Sequence, residues 1–305
     1  MKPRVLAVGG PTSTGKTAFG VLLAKTACGE VVSCDSMQLY KGMVIGTAAP
    51  TPEETGGVLH HMVGVVDPAV SFSVADYCAM AAPILADIHA RGLVPVVVGG
   101  TGLYMDCLLS GMTFLGQQET GEVRRQLWAQ DGEALWKRLA ELDPQAAASI
   151  HPANKKRVIR ALEVVLTTGE TMTARAARQS AAESPYEVTK ICLDLADREL
   201  LRARCERRVD EMMEKGLLEE VEGLLKKPGL RASTAFQSIG YKELATYFDG
   251  ILPLERAVED IKTATKKYAK RQRSWFRRDG ATLWYYRDQL SGEAIIDDLR
   301  QRNLL

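Results

Sequence analysis

The chain has 305 residues, 46 % of them hydrophobic and 25 % charged, the makeup of a globular protein with one large or two unequal domains. A formal net charge of +1 excludes a globally basic nucleic-acid binder, so an RNA partner has to be met by a local patch. No apolar run approaches the ~20 residues of a membrane span, which argues for no membrane partner. Six cysteines without a C-x-x-C pair, and a first strand-like run that leaves no room for a leader, point to reduced thiols in a cytoplasmic protein without a zinc site.

In chain order, the first element is a strand-like run, Val5-Leu6-Ala7-Val8, and the second a helix-like run from Ala18 to Ala27. Between them stands Gly10-Pro11-Thr12-Ser13-Thr14-Gly15-Lys16-Thr17, which fits G-x-x-x-x-G-K-[ST] in the strand–loop–helix setting that this motif needs. Gly10 and Gly15 let backbone N–H groups converge on one hollow. The helix N-terminus and Lys16 add positive charge, and the Thr17 hydroxyl can serve a Mg²⁺ carried by phosphates. The loop therefore holds a di- or triphosphate. Val31-Val32-Ser33-Cys34 reads as a strand ending at Asp35, Val74 to Arg91 as a helix, and Val94 to Val98 as a buried strand running into Gly99-Gly100-Thr101-Gly102. Strands whose C-terminal ends carry glycine and polar residues describe a parallel sheet with its site along one edge. His60 and His61 are adjacent in a strand, where they face opposite ways, so we expect structural roles rather than a shared metal.

From about Thr113 to Pro185 the pattern is helical: Val123 and Leu127, then Leu135, Leu139 and Leu142, then Val158, Leu162 and Val165, with a polar turn at Gln117 to Glu122 and a helix stop at Gly169. The expected architecture is α/β: a P-loop NTPase-like parallel sheet flanked by helices (1–112 and 186–305) with a helical insertion domain (113–185). A strand at Lys190 to Leu195 returns to the sheet, and helices follow at Leu200–Lys215 and Leu217–Lys226, split at Gly216. The last long helix, Leu254 to Arg278, puts Ile261, Ala264, Tyr268 and Trp275 on one face and Lys262, Lys266, Lys270, Arg273 and Arg277 on another. No acid occurs from Ile261 to Arg278, and a single-sign row suggests a polyanion partner. Lys155-Lys156-Arg157 with Arg160 begins a helix of the insertion, where cations oppose the helix dipole, which favours a binding role.

Taken together these stretches resemble one family, the tRNA dimethylallyltransferases (tRNA isopentenyltransferases). The resemblance rests on Gly10–Thr17, Asp35-Ser36-Met37-Gln38-Leu39-Tyr40, Ile45 to Pro50, His60-His61 with Asp67-Pro68, Phe72 to Tyr77 and Gly99 to Tyr104. It continues through Arg160 to Glu163, Ile239 to Glu243 and Tyr268 to Gln272, in order along nearly the whole chain. Departures stand at Ala49, Val63-Gly64, Ala153-Asn154 and Lys266.

The resemblance implies transfer of a dimethylallyl group from its diphosphate to N6 of the adenosine 3′ of the anticodon in a tRNA, with Mg²⁺ as cofactor. The exocyclic nitrogen is a poor nucleophile, and a carboxylate taking its proton would help by roughly 10²–10⁴. Asp35 is the candidate base, the role the resemblance favours, with a Mg²⁺ ligand as the other reading of an apolar run that ends in Asp. Thr101 is expected to touch the leaving oxygen, a turn-capping role being the other reading. Arg204 and Arg208, four apart, are candidates for the diphosphate, with surface pairing to Glu206 or Asp210 as the alternative. Carried over as tRNA contacts are Asp35, Ser36, Met37, Gln38, Thr101, Arg124, Lys156, Arg157, Val158, Ile159, Arg160, Gln237, Lys270, Arg271 and Arg273, with the Gln38 amide able to read an adenine edge. A phosphate-loop kinase, or an isopentenyltransferase acting on free AMP or ADP, would share the loop and Asp35. The composition is compatible with a monomer.

Overall fold

Apolar runs with little polar alternation become strands covered on both faces. The computed structural model describes residues 2–112, 121–181 and 183–305. Six strands, β1 (Arg4–Gly9), β2 (Gly29–Ser33), β3 (His60–His61), β4 (Val94–Val98), β5 (Glu187–Asp194) and β6 (Leu283–Tyr286), form one sheet in the order β3-β2-β4-β1-β5-β6. Every neighbouring pair is parallel, with Leu6 opposite Val96, Val31 opposite Val96 and Val8 opposite Ile191. The chain divides into two compact units, Met1–Gly111 with Pro185–Leu305, and Met112–Ser184.

In the first unit the helices are α1 (Lys16–Thr26), α2 (Pro52–Thr55), α3 (Val74–Ala90) and α4 (Gly102–Leu109). One sheet face, through Leu6, Val8, Val31, Val96, Ile191 and Leu193, packs on Phe19 and Leu23 of α1. Ser73 and Asp76 close a reciprocal cap at the start of α3, which accounts for the sharp entry of that helix. The second unit contains α5 (Gly121–Trp128), α6 (Gly132–Leu142), α7 (Pro144–Ser149), α8 (Lys155–Thr168) and α9 (Met172–Ala181). Its core gathers Leu127, Leu135, Leu139, Ala147, Val158, Ile159 and Leu162, the three-and-four spacing read from the sequence. Asp131, Asp143 and Asn154 cap α6, α7 and α8, and Gly169 ends α8 at φ 70°. Of the polar turn expected at Gln117–Glu122, residues 117–120 lie outside the described residues, as does Thr113, while Gly121 and Glu122 open α5.

The first unit then resumes with α10 (Arg198–Glu214), α11 (Leu217–Leu225), α12 (Tyr241–Phe248), α13 (Leu254–Phe276) and α14 (Gly292–Gln301), the last adding Ile295, Ile296 and Leu299 to the sheet core. Three expectations change. β5 starts at Glu187 rather than Lys190, because Glu187, Val188 and Thr189 pair with Arg4, Val5 and Leu6. β6 is a four-residue edge strand, too short and too half-buried for periodicity to reveal. The buried stripe of α13 runs Ala257, Ile261, Thr265, Ala269, Gln272 and Phe276, so a threonine and a glutamine sit where apolar spacing placed Tyr268 and Trp275.

Candidate functional site

The strand order puts three turns side by side: the loop after β1, the Asp35 turn after β2, and the Gly99–Thr101 turn after β4, which lies between the other two strands. Gly10 at φ 130° cannot be replaced, since a Cβ there would lie 2.1 Å from the Leu193 carbonyl oxygen. Gly15 at φ 82° precedes the first residue of α1 and turns the chain into it. The Thr14 hydroxyl donates to the Pro11 carbonyl (2.9 Å), and Lys16 Nζ folds onto the same oxygen (2.5 Å). A loop built this way directs N–H groups and a lysine toward one anion.

A cavity of about 530 Å³ opens on this loop, and Thr12, Ser13, Gly15, Lys16, Thr17, Asp35, Ser36, Met37, Gln38, Arg208, Gln237, Tyr268 and Arg271 all line it. Lys16 is pushed down to about 8, first by burial and then by the Arg208 guanidinium, with Asp35 acting the other way. Arg208 is lowered by burial and raised by Asp35. Two cations facing each other in a closed site lose stability until an anion joins them, and a diphosphate supplies that anion. Arg204 does not line the cavity, and its charge is felt at Asp288. The acids Glu206 and Asp210 belong to neither arginine: Glu206 pairs with Lys266, and Asp210 with Lys262 at 2.8 Å. Thus two members of the single-sign row on α13 are neutralised by α10, a pairing between distant segments that the helix's own sequence cannot show.

Asp35 Oδ1 accepts the Met37 N–H at 2.9 Å while the residue faces the cavity. Thr101 Oγ1 accepts the Ser36 N–H (3.0 Å) and approaches Ser36 Oγ (3.2 Å). It makes no side-chain cap for α4 and is not in the cavity wall, so it clasps the Asp35 turn. The Gln38 amide is already engaged, with Nε2 donating to the Thr47 and Ala48 carbonyls (3.3 and 3.0 Å) and Oε1 accepting from Ser33 (2.9 Å). It pins the 45–50 stretch to the cavity rather than presenting a free edge. The same stretch is held from the other side by Glu220, whose carboxylate accepts the N–H groups of Val44, Ile45 and Gly46 (2.9, 2.8 and 3.1 Å) and the Tyr241 hydroxyl (2.6 Å). Nothing in the periodicity of α11 distinguishes Glu220 from its neighbours Glu219 and Glu222.

Lys270 and Arg273 lie outside this cavity. With Arg198, Arg202, Lys266 and Lys267 they line a second concavity of about 400 Å³ between α10 and α13, floored by Leu201, Cys205 and Ala269. No acid lines it. In the helical unit the expected contacts divide. Arg124 and Arg160 both pair at 2.8 Å with Glu163, which is fully buried. Lys155 donates to the Trp128 and Gln130 carbonyls and so closes the end of α5. Val158 and Ile159 are 0 % and 2 % exposed, with their side chains in the unit's core. Lys156 and Arg157 are exposed.

No group of three or more His, Cys, Asp or Glu is placed to hold a metal among the described residues, and the Thr17 hydroxyl and the Asp35 carboxylate, both on the cavity wall, are among the oxygens that would meet a Mg²⁺ carried on phosphates. His61 Nε2 meets Glu30 (2.7 Å) and His60 Nδ1 meets the Val58 carbonyl (2.9 Å), separate hydrogen-bonding roles. Among the departures, Asn154 still caps α8, Gly64 sits at φ 60° and Lys266 pairs with Glu206.

Residues 38–279 match the family described as IPP transferase, and residues 3–61 match isopentenyl transferase. The chain is 44 % identical over 289 residues to the tRNA dimethylallyltransferase of Halalkalibacterium halodurans, covering 93 % of this chain and 91 % of that one. It superposes on the tRNA isopentenylpyrophosphate transferase of Bacillus halodurans with TM-score 0.74 and 40 % identity, over 99 % of this chain and 95 % of that one. A eukaryotic dimethylallyltransferase acting on tRNA superposes with TM-score 0.84 and 27 % identity, over 99 % of this chain and 80 % of that one. A phosphate loop, two facing cations and a carboxylate in one cavity, with these matches along the chain, place it: the chain belongs to the IPP transferase family.

Proposed function

We propose that this protein transfers the dimethylallyl group of dimethylallyl diphosphate to N6 of the adenosine 3′ of the anticodon, position 37, in tRNA, and releases diphosphate. The observation that carries the reading is one cavity in which the phosphate loop, Lys16 and Arg208 face Asp35. The N6–C1 bond forms as the C1–O bond breaks, and the electron pair leaves on the diphosphate. Loop N–H groups, Lys16 and Arg208 meet that growing charge. The Asp35 carboxylate takes the N6 proton. Mg²⁺, carried on the diphosphate beside the Thr17 hydroxyl, would supply further charge neutralisation there. The adenine has to leave the loop stack to reach the cavity, and apolar wall residues such as Met37 and Ile239 give it a surface. Lys267, Lys270 and Arg273 in the second concavity, and Lys156 and Arg157 on the helical unit, are suited to hold RNA phosphates. The cavity is complete within one chain, which fits a monomer, and a tRNA substrate fits a cytoplasmic protein. No helix among the described residues is long and apolar enough to cross a membrane.

The test is a single-turnover assay with radiolabelled dimethylallyl diphosphate and Mg²⁺ on three acceptors. Label on an anticodon stem-loop with adenosine after the anticodon, and none on the guanosine version or on AMP, supports the reading. Label on AMP redirects it to free nucleotides, and ATP hydrolysis without label redirects it to phosphoryl transfer.

A further inference from the structure

The donor loop and the Asp35 turn follow strands that are not neighbours, since β4 separates β1 from β2. Prenyl transfer needs the leaving diphosphate and the proton acceptor at a set separation, with C1 and N6 between them. A buried amide on α13 ties the phosphate loop to the Gly99–Thr101 turn. Gln272, 5 % exposed, accepts the Thr12 N–H on Oε1 (2.8 Å) and donates from Nε2 to the Gly100 carbonyl (3.0 Å). Gly100 leaves it room, because a Cβ there would lie 2.0 Å from Nε2. Gly100 is followed directly by Thr101. Thr101 in turn holds the Ser36 N–H next to Asp35. Tyr268 lines the cavity, its ring beside the Arg271 guanidinium.

We propose that Gln272 is a positioning residue: the path Thr12–Gln272–Gly100–Thr101–Ser36 fixes the separation of the diphosphate loop from the Asp35 carboxylate. Gln272 does not need to touch the reacting atoms. The polar residue in the apolar stripe of α13 thereby has a purpose that core packing alone does not provide, since a leucine would fill the space and satisfy neither backbone group.

The proposal rests on the transfer reading, and the experiment separates the two. Gln272→Met, Thr101→Val and the double variant are compared with wild type for single-turnover rate, pyrophosphate affinity, stem-loop affinity and Tm. The expected result for Gln272→Met is a rate loss of about 10–100-fold, the scale of a misplacement of about 1 Å, with both affinities within about threefold of wild type. The double variant should be no slower than the slower single one, because both interrupt one path. An unchanged rate in Gln272→Met, a rate loss matched by an equal loss of pyrophosphate affinity, or losses that multiply in the double variant would each overturn the proposal. If wild type transfers no label, the transfer reading fails instead. The path is then judged by hydrogen exchange at the Ser36 amide, which should quicken in Gln272→Met, and unchanged exchange would reject it.

Discussion

At the scale of single residues, the site is a balance of charges in one cavity. Asp35 is the carboxylate that faces Lys16 and Arg208, and both cations respond to it. Asp35→Asn keeps the turn hydrogen bond to Met37 in reach while removing the base. We expect pyrophosphate and stem-loop binding to survive and the single-turnover rate to fall by roughly 10²–10⁴. A rate within a few-fold of wild type would remove Asp35 from the mechanism. Lys16 gives a pH signature. Held near 8 in the free protein, it is increasingly neutral as pH rises past that value. A bound diphosphate offsets the Arg208 repulsion and favours the ammonium, so binding above pH 8 takes up protons and weakens as pH rises. Calorimetry in buffers of different ionisation enthalpy should show proton uptake at pH 8.5 that fades by pH 6.5. Thr101 has a role that only the fold shows: its hydroxyl holds the Ser36 amide, a contact between segments 65 positions apart.

At the scale of elements, α13 carries two functions on opposite sides. Its buried side ties the phosphate loop to the Gly100 turn through Gln272, and its basic side joins α10 in the second concavity. The row of cations was legible from the absence of acids between Ile261 and Arg278, but its effective charge was not. Lys262 and Lys266 are neutralised by Asp210 and Glu206, whereas Lys267, Lys270 and Arg273, which line the second concavity, have no ion pair among the described residues. We therefore expect the triple variant Lys267→Ala, Lys270→Ala, Arg273→Ala to weaken stem-loop binding and to lower the slope of log affinity against log salt by about 2–3. Pyrophosphate affinity should hold. Equal loss for both ligands would show that the concavity serves the donor loop instead. The Gln38 and Glu220 clamps on residues 44–48 belong here too: a carboxylate that collects three backbone N–H groups is a property of the folded loop, not of the helix that bears it.

At the scale of the whole molecule, the two units have separate cores, and the chain leaves and re-enters the first unit at adjacent points, since a Cβ on Gly111 would lie 2.7 Å from Pro185 Cγ. Joining Gly111 to Pro185 without residues 112–184 should leave a folded sheet that binds pyrophosphate with wild-type affinity and has lost most of its stem-loop affinity. Unchanged stem-loop affinity would confine RNA binding to the first unit. The sheet edge carries an acid-sensitive lock: Arg91 grips Glu30 through two nitrogens (2.5 and 2.7 Å), His61 adds a third contact, and the Glu30 carboxyl is held down to about 2. A carboxyl depressed on folding adds stability above its unfolded value of about 4.5, and that stability is lost as pH falls toward 2. Glu30→Gln should thus lower Tm at pH 6 and flatten its decline between pH 5 and pH 2.

The local grammar of the chain determined a great deal unaided. The phosphate loop, the buried strands at β1, β2 and β4, the helical stretch between the two halves and the ends of most helices follow from glycine conformation, apolar spacing and capping, which act over a few residues. What the tertiary structure alone decided are contacts between residues far apart in sequence. Arg208 enters the cavity where Arg204 does not, because the sheet and α10 meet at one angle. Val158 and Ile159 turn inward because α8 lies on a core that α5 and α6 complete. Gln272 and Glu220 matter because backbone groups of other segments arrive beside them, and the pairing of such groups is a property of the closed fold rather than of any stretch of residues.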